Sequence, residues 1–129
     1  MKTSDLMWIL DNVSPARRNP DDFEDLTVYH ITASENVDRI KSVGIQARSS
    51  SQSYDRPDAV YFFVDRDEVN TDNATTLGVK NISVITVKIP AEKVVKNMRW
   101  DGLYNIGFDT YSAVQYMDNV PAEWITNIE

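Results

Sequence analysis

The feature that most limits how this chain can fold is a strand, a tight turn and a short helix written in succession between Leu26 and Gly44. Val28 and Tyr29 are strand formers, and the run from Leu26 to Ile31 alternates loosely enough to give a short strand buried on at least one face. Thr32-Ala33-Ser34-Glu35 then has the spacing of a capping box, which predicts a helix start. Val37, Ile40 and Val43 continue at helical spacing, with Asp38, Arg39 and Lys41 on the other side. Gly44 supplies the left-handed residue that commonly closes a helix. His30, the one histidine of the chain, and Thr32 are two apart and share a strand face beside the expected helix start. A lone strand histidine ordinarily serves packing. Its company here, with the aromatic run Val60-Tyr61-Phe62-Phe63 downstream, marks a candidate ligand corner.

The rest of the chain supplies more strands than helices. Leu6, Ile9, Leu10 and Val13 recur at helical spacing and predict an N-terminal helix that packs on the domain or docks a partner. Pro15 to Asp25 has the composition of an exposed connector, so residues 1–25 are read as helix and connector and 26–129 as the main domain. Arg48 to Pro57 reads as a polar loop of a length that suits a lid or binding loop. Ala59 to Val64 is a continuous apolar run fit for a central strand. Asp65 to Gly78 is compatible with a helix, and Asn81 to Ile89 alternates as a strand. Ile89-Pro90-Ala91-Glu92-Lys93-Val94 is echoed by Val120-Pro121-Ala122-Glu123-Trp124-Ile125. Each echo has proline at a first helical position and a glutamate read as a cap. Met98 to Met117 is expected to hold two short strands broken around Gly102 and Gly107. The expected fold is α+β: one compact domain with a small split sheet, antiparallel or mixed, and a few short helices.

Bulk composition narrows the functional classes. At 129 residues with 42% hydrophobic content the chain suits one domain that buries a core without staples. It has no cysteine and a single histidine, so neither disulfides nor a transition-metal site is expected. No apolar run approaches a membrane span, and the N-terminus turns acidic at Asp5 before a signal-peptide core could form. A cytoplasmic protein with no membrane partner is therefore expected. A formal charge of −7 makes nucleic acid a poor default partner. Arg39, Arg48, Arg56 and Arg66 could still hold one small anion, such as a dinucleotide pyrophosphate.

Taken together, Tyr29-His30-Ile31-Thr32 with its helix and Gly44, Val60-Tyr61-Phe62-Phe63 after a polar loop, Val84 to Ile89 with its proline, and Val120-Pro121-Ala122-Glu123-Trp124-Ile125 resemble the ADP-ribosyltransferase superfamily. The resemblance covers roughly residues 26 to 128, and the order and spacing are more specific than any one motif. In the histidine-tyrosine-glutamate branch, it implies NAD as substrate, with His30 on the ribose or adenosine side, Thr32 in support and Tyr61 stacked on nicotinamide. Arg48 and Tyr54 complete the implied cofactor-binding set. The branch's third residue is a late-strand glutamate that stabilises positive charge as nicotinamide leaves. Here Tyr111-Ser112-Ala113-Val114-Gln115-Tyr116-Met117 holds no acid, and Gln115 is the nearest neutral stand-in.

An amide accepts a hydrogen bond from a ribose hydroxyl but supplies no negative field. Loss of one such aimed group costs on the order of 3 kcal/mol, a hundredfold or more in rate. Asp109 is the first candidate to replace it, ahead of Asp118 and Glu123. Two functions follow as expectations: an NAD-dependent mono-ADP-ribosyltransferase acting on a macromolecular target, or a catalytically inactive module of the same type that recognises a nucleotide or inhibits a partner protein. An RNA 2′-phosphotransferase ranks behind both because the chain is acidic.

Overall fold

The strands of the sheet are β1 (Leu26–Ala33), β2 (Val60–Phe63), β3 (Ile82–Ile89), β4 (Met98–Trp100), β5 (Ala113–Tyr116) and β6 (Ile125–Ile128). The computed structural model describes residues 1–48, 58–69, 81–101 and 112–129. Within them, the strands pair antiparallel in the order β4-β5-β2-β1-β3-β6. The pairing is uneven. β1 matches β3 along its whole length, from Leu26↔Ile89 to Ala33↔Ile82, but meets β2 at the single pair Tyr29↔Phe63. The sheet is a single continuous antiparallel one of six strands, nearly parted between β1 and β2.

Alternation along the strands sorts side chains onto two faces. Val28, Ile85, Val87 and Ile89 lie on one face with Val60, Phe62, Val114, Tyr116 and Met98, and all belong to one buried cluster. The opposite face carries Thr27, Tyr29, Lys88, Tyr61, Phe63, Gln115 and Arg99. Three helices flank the sheet among the described residues: α1 (Thr3–Asn12), α2 (Val37–Val43) and α3 (Ala91–Asn97). Leu6, Met7 and Leu10 of α1 and Val94 and Val95 of α3 complete the same core. The N-terminal helix thus packs on the domain, the first of the two roles its apolar face allowed. The result is a single compact α+β domain.

Arg18, in the connector after α1, explains how that helix is held. It is 7% exposed. Its Nε donates to Val13 O (3.0 Å), and its Nη1 donates to Val95 O (3.0 Å) and Met98 O (2.6 Å). Val13 and Met98 are the C-caps of α1 and α3, where unpaired carbonyls and the negative helix end favour a cation. One guanidinium therefore closes two helices onto each other.

Several local expectations change. The α-helix after β1 begins at Val37 rather than at the capping-box position: β1 runs through Thr32 to Ala33, and a 3-10 turn covers Ser34–Asn36. Thr32 Oγ1 accepts from the Asn36 side chain (3.2 Å) and caps no backbone amide. The strand wins because pairing with Ser83 continues the β1–β3 ladder. After β2 the described residues form only the 3-10 turn Arg66–Glu68, capped by the Asp65 side chain at Asp67 N (3.0 Å); residues 70–78 of the expected helix lie outside the described set. Glu92 and Glu123 do not act as side-chain caps. Asp25 does so for α3, accepting from Ala91 N at 2.9 Å.

Gly44 ends α2 as expected, with φ +80°. The chain then bridges to the C-terminal segment, Ile45 N donating to Val120 O (2.9 Å) and Val120 N to Ile45 O (2.8 Å). A Cβ at Gly44 would sit 2.0 Å from Val120 O. Gly44→Ala thus meets a backbone clash in addition to left-handed strain, and we expect a loss of about 3 kcal/mol or more in urea denaturation. Arg18→Met, which strands three carbonyls, is expected to cost about 2–4 kcal/mol in the same measurement.

Candidate functional site

The parting of β1 from β2 places His30 in a special position. Its Nδ1 lies 2.8 Å from Tyr61 O. A carbonyl only accepts, so the Nδ1 proton resides there and neutral His30 presents Nε2 as an acceptor. The ring also meets Phe62 edge-on, with centroids 5.8 Å apart. His30 leaves the strand on the face of Ile85 and Phe62, at the end of the apolar core. Below it on the same face come Thr32 and its Cα partner Ser83, whose hydroxyl bonds that of Ser34 at 2.7 Å. This end of the core face is polar and half-buried, and the imidazole marks where it begins.

Tyr61 occupies the other face. Its Cα partner on β5 is Gln115, and the partner of Gln115 on β4 is Arg99. Tyr61, Gln115 and Arg99 therefore form one row across three strands. Tyr61 is half-buried, Arg99 is exposed, and Gln115 is 9% exposed between them. The next row contains Tyr29, Phe63 and Ala113. Arg66 stands over the Tyr29 ring at 6.0 Å and pairs with Glu129 at 2.7 Å. Ser112, just before β5, donates to the Glu68 carboxylate and tightens the junction of β2 with β5.

The expected site residues thus fall into two groups. Tyr61 and Gln115 are brought side by side. His30 meets Tyr61 through the backbone carbonyl rather than through the phenol, because the pleat sends the two side chains to opposite faces. Thr32 follows His30. Arg48 is exposed, and its backbone bridges Ala59 just before β2 (Arg48 N to Ala59 O, 3.1 Å). Tyr54 and Asp109 lie outside the described residues. Asp118 is exposed after β5, its carboxylate accepting from Asn119 N at 2.8 Å. Glu123 is exposed in the 3-10 turn Ala122–Trp124.

One acid escaped the sequence reading. Asp101 follows β4, is 2% exposed, and continues the ladder with its N–H on Ala113 O at 3.1 Å. By alternation it shares the face of Arg99 and Gln115. The available signal was an acid directly after the Met98-Arg99-Trp100 strand, masked by the aromatic richness of the region. No protein-family model matches this sequence, and no curated protein is detectably similar to it.

Burial, the larger influence, holds the His30 imidazole below its ordinary pKa of 6.5, against the opposing pull of the bond to Tyr61 O. A folded-state value below the unfolded one means that the unfolded chain binds the proton more readily. The stability His30 contributes is complete above about pH 6.5 and is lost as pH falls through that value toward the lower folded-state one. Because no other histidine titrates in this window, thermal denaturation from about pH 7.5 to about pH 5.5 should show a falling Tm. The His30→Gln protein should show a flatter profile.

Proposed function

We propose that this chain is an ADP-ribosyltransferase-like module that recognises NAD or a related nucleotide on the sheet face carrying Tyr61 and Gln115. Tyr61 stacks on the nicotinamide, and the Gln115 amide accepts a hydrogen bond from the adjoining ribose. His30 is a positioning residue that fixes the Tyr61 peptide where β1 and β2 part. The observation that carries this reading is the direct pairing of Tyr61 with Gln115: the late-strand position that the resemblance reserves for an acid is next to the stacking tyrosine, and it holds an amide. Such a site is built for binding first. Its role is to sequester the nucleotide or to present it to, or withhold it from, a macromolecular partner.

The second reading, a mono-ADP-ribosyltransferase acting on a macromolecule, is favoured by one observation: Asp101 places a buried carboxylate on the same sheet face. In that reading the bond between ribose C1′ and the nicotinamide nitrogen breaks, and nicotinamide leaves with the electron pair. A target nucleophile bonds C1′ and gives up its proton to solvent. The field of Asp101 stabilises the oxocarbenium-like charge.

Calorimetric titration with NAD and assay of nicotinamide release test both. Binding should weaken at least tenfold in Tyr61→Ala. Gln115→Glu should raise nicotinamide release on the order of a hundredfold, the worth of one aimed charge. Release by the unaltered protein that disappears in Asp101→Asn selects the transferase. Absence of NAD binding to either the unaltered protein or Gln115→Glu contradicts the proposal.

A further inference from the structure

A second candidate site lies at the sheet edge where α1 ends, and Arg99, the outer member of the Tyr61–Gln115 row, lines it. A cleft of about 560 Å³ opens between the C-terminal end of α1, the turn after it and β4, within the size range of small-molecule sites. Its walls include Leu10, Val13, Pro15 and the half-buried Trp100 on the apolar side, and Arg18, Arg99 and Asp11 on the charged side.

Arg18 is the unusual member. It is 93% buried by surface yet faces the open cleft on one side, and no carboxylate within salt-bridge distance neutralises it among the described residues. Its Nε and Nη1 are used on the three carbonyls of the helix ends, while Nη2 has no acceptor among the described residues. Two N–H donors are therefore left at the cleft wall. Arg99 adds a second guanidinium there. Burial first, and the charge of Arg99 second, lower the proton affinity of Arg18. Arg18 and Arg99 bring two like charges to this cleft, with Asp11 also in its lining, in a chain whose net charge is −7. An anion relieves that repulsion and satisfies the remaining donors.

We propose that this cleft binds a small phosphate monoester, a free nucleoside monophosphate in size and chemistry. Its phosphate lies between Arg18 Nη2 and Arg99, and its ring lies against Trp100. A phosphate suits the site better than a carboxylate because its double charge answers both guanidiniums, and because planar guanidinium forks pair with phosphate oxygens. The apolar wall gives the uncharged part of the ligand a place to be buried. The net charge of −7 disfavours a nucleic-acid strand.

Isothermal titration of the full chain with AMP, adenosine and a 5′-phosphorylated tetranucleotide tests this. AMP should bind, and adenosine should bind at least tenfold more weakly. Arg99→Met, a change at an exposed position that leaves the core intact, should weaken AMP at least tenfold. Asp11→Asn should tighten it. Tyr61→Ala should leave it unchanged; because Arg99 stands at the end of the Tyr61 row, loss of AMP binding in Tyr61→Ala, whatever the effect of Arg99→Met, assigns the ligand to the NAD face and overturns the proposal. Equal binding of AMP and adenosine, or tighter binding of the tetranucleotide than of AMP, also overturns it.

Discussion

The bond from His30 to the Tyr61 carbonyl is the contact on which the arrangement of the candidate site depends. β1 and β2 share only the pair Tyr29↔Phe63, so there the sheet lacks the repeated ladder that holds β1 to β3. A side-chain donor reaches across the parting strands and satisfies a backbone acceptor at 2.8 Å. A neutral hydrogen bond of this kind is worth about 0.5–1.5 kcal/mol net, and leaving the carbonyl unpaired and buried costs more. Its larger consequence is geometric. With the Tyr61 peptide fixed, the register with β5 sets the phenol beside Gln115.

A buried cation does for the helices what the neutral His30 ring does for the strands. Arg18 gathers the carbonyls that end α1 and α3, so a segment with the composition of a loose connector becomes part of the core architecture. The two polar residues share a logic: each is buried where the backbone runs out of its own partners. Each also leaves a nitrogen unused by those bonds: Nε2 of His30 on the core face of the sheet, and Nη2 of Arg18 at the cleft beside α1.

Much of the architecture was legible because the signals were periodic. Ile82 to Ile89 is rich in β-branched residues that largely alternate with polar ones, and it forms β3. Val60 to Phe63 is a short apolar run and forms a central strand. Gly44 closes α2 with the positive φ its place predicts. What the sequence could not convey was cross-strand. Thr32 to Glu35 carries a capping pattern, but the ladder to Ser83 holds Thr32 in the strand. Asp25, distant in sequence from Ala91, takes the capping role read for Glu92. His30 and Tyr61 were both legible as special, while the pleat that sends their side chains to opposite faces follows from the register at Tyr29↔Phe63. Gln115 was recognised as the neutral occupant of the late strand, and the register then set it beside Tyr61. Asp101 was missed because its burial depends on β4 pairing with β5.

The sharpest single check is the tautomer of the imidazole, read by nitrogen-15 NMR correlation of the ring nitrogens in the folded protein near neutral pH. The bond to Tyr61 O requires a neutral ring with its proton on Nδ1 and Nε2 unprotonated. A ring protonated on Nε2, or one exchanging between both forms, would mean that the carbonyl is not held, and that the joint setting Tyr61 beside Gln115 is made in another way.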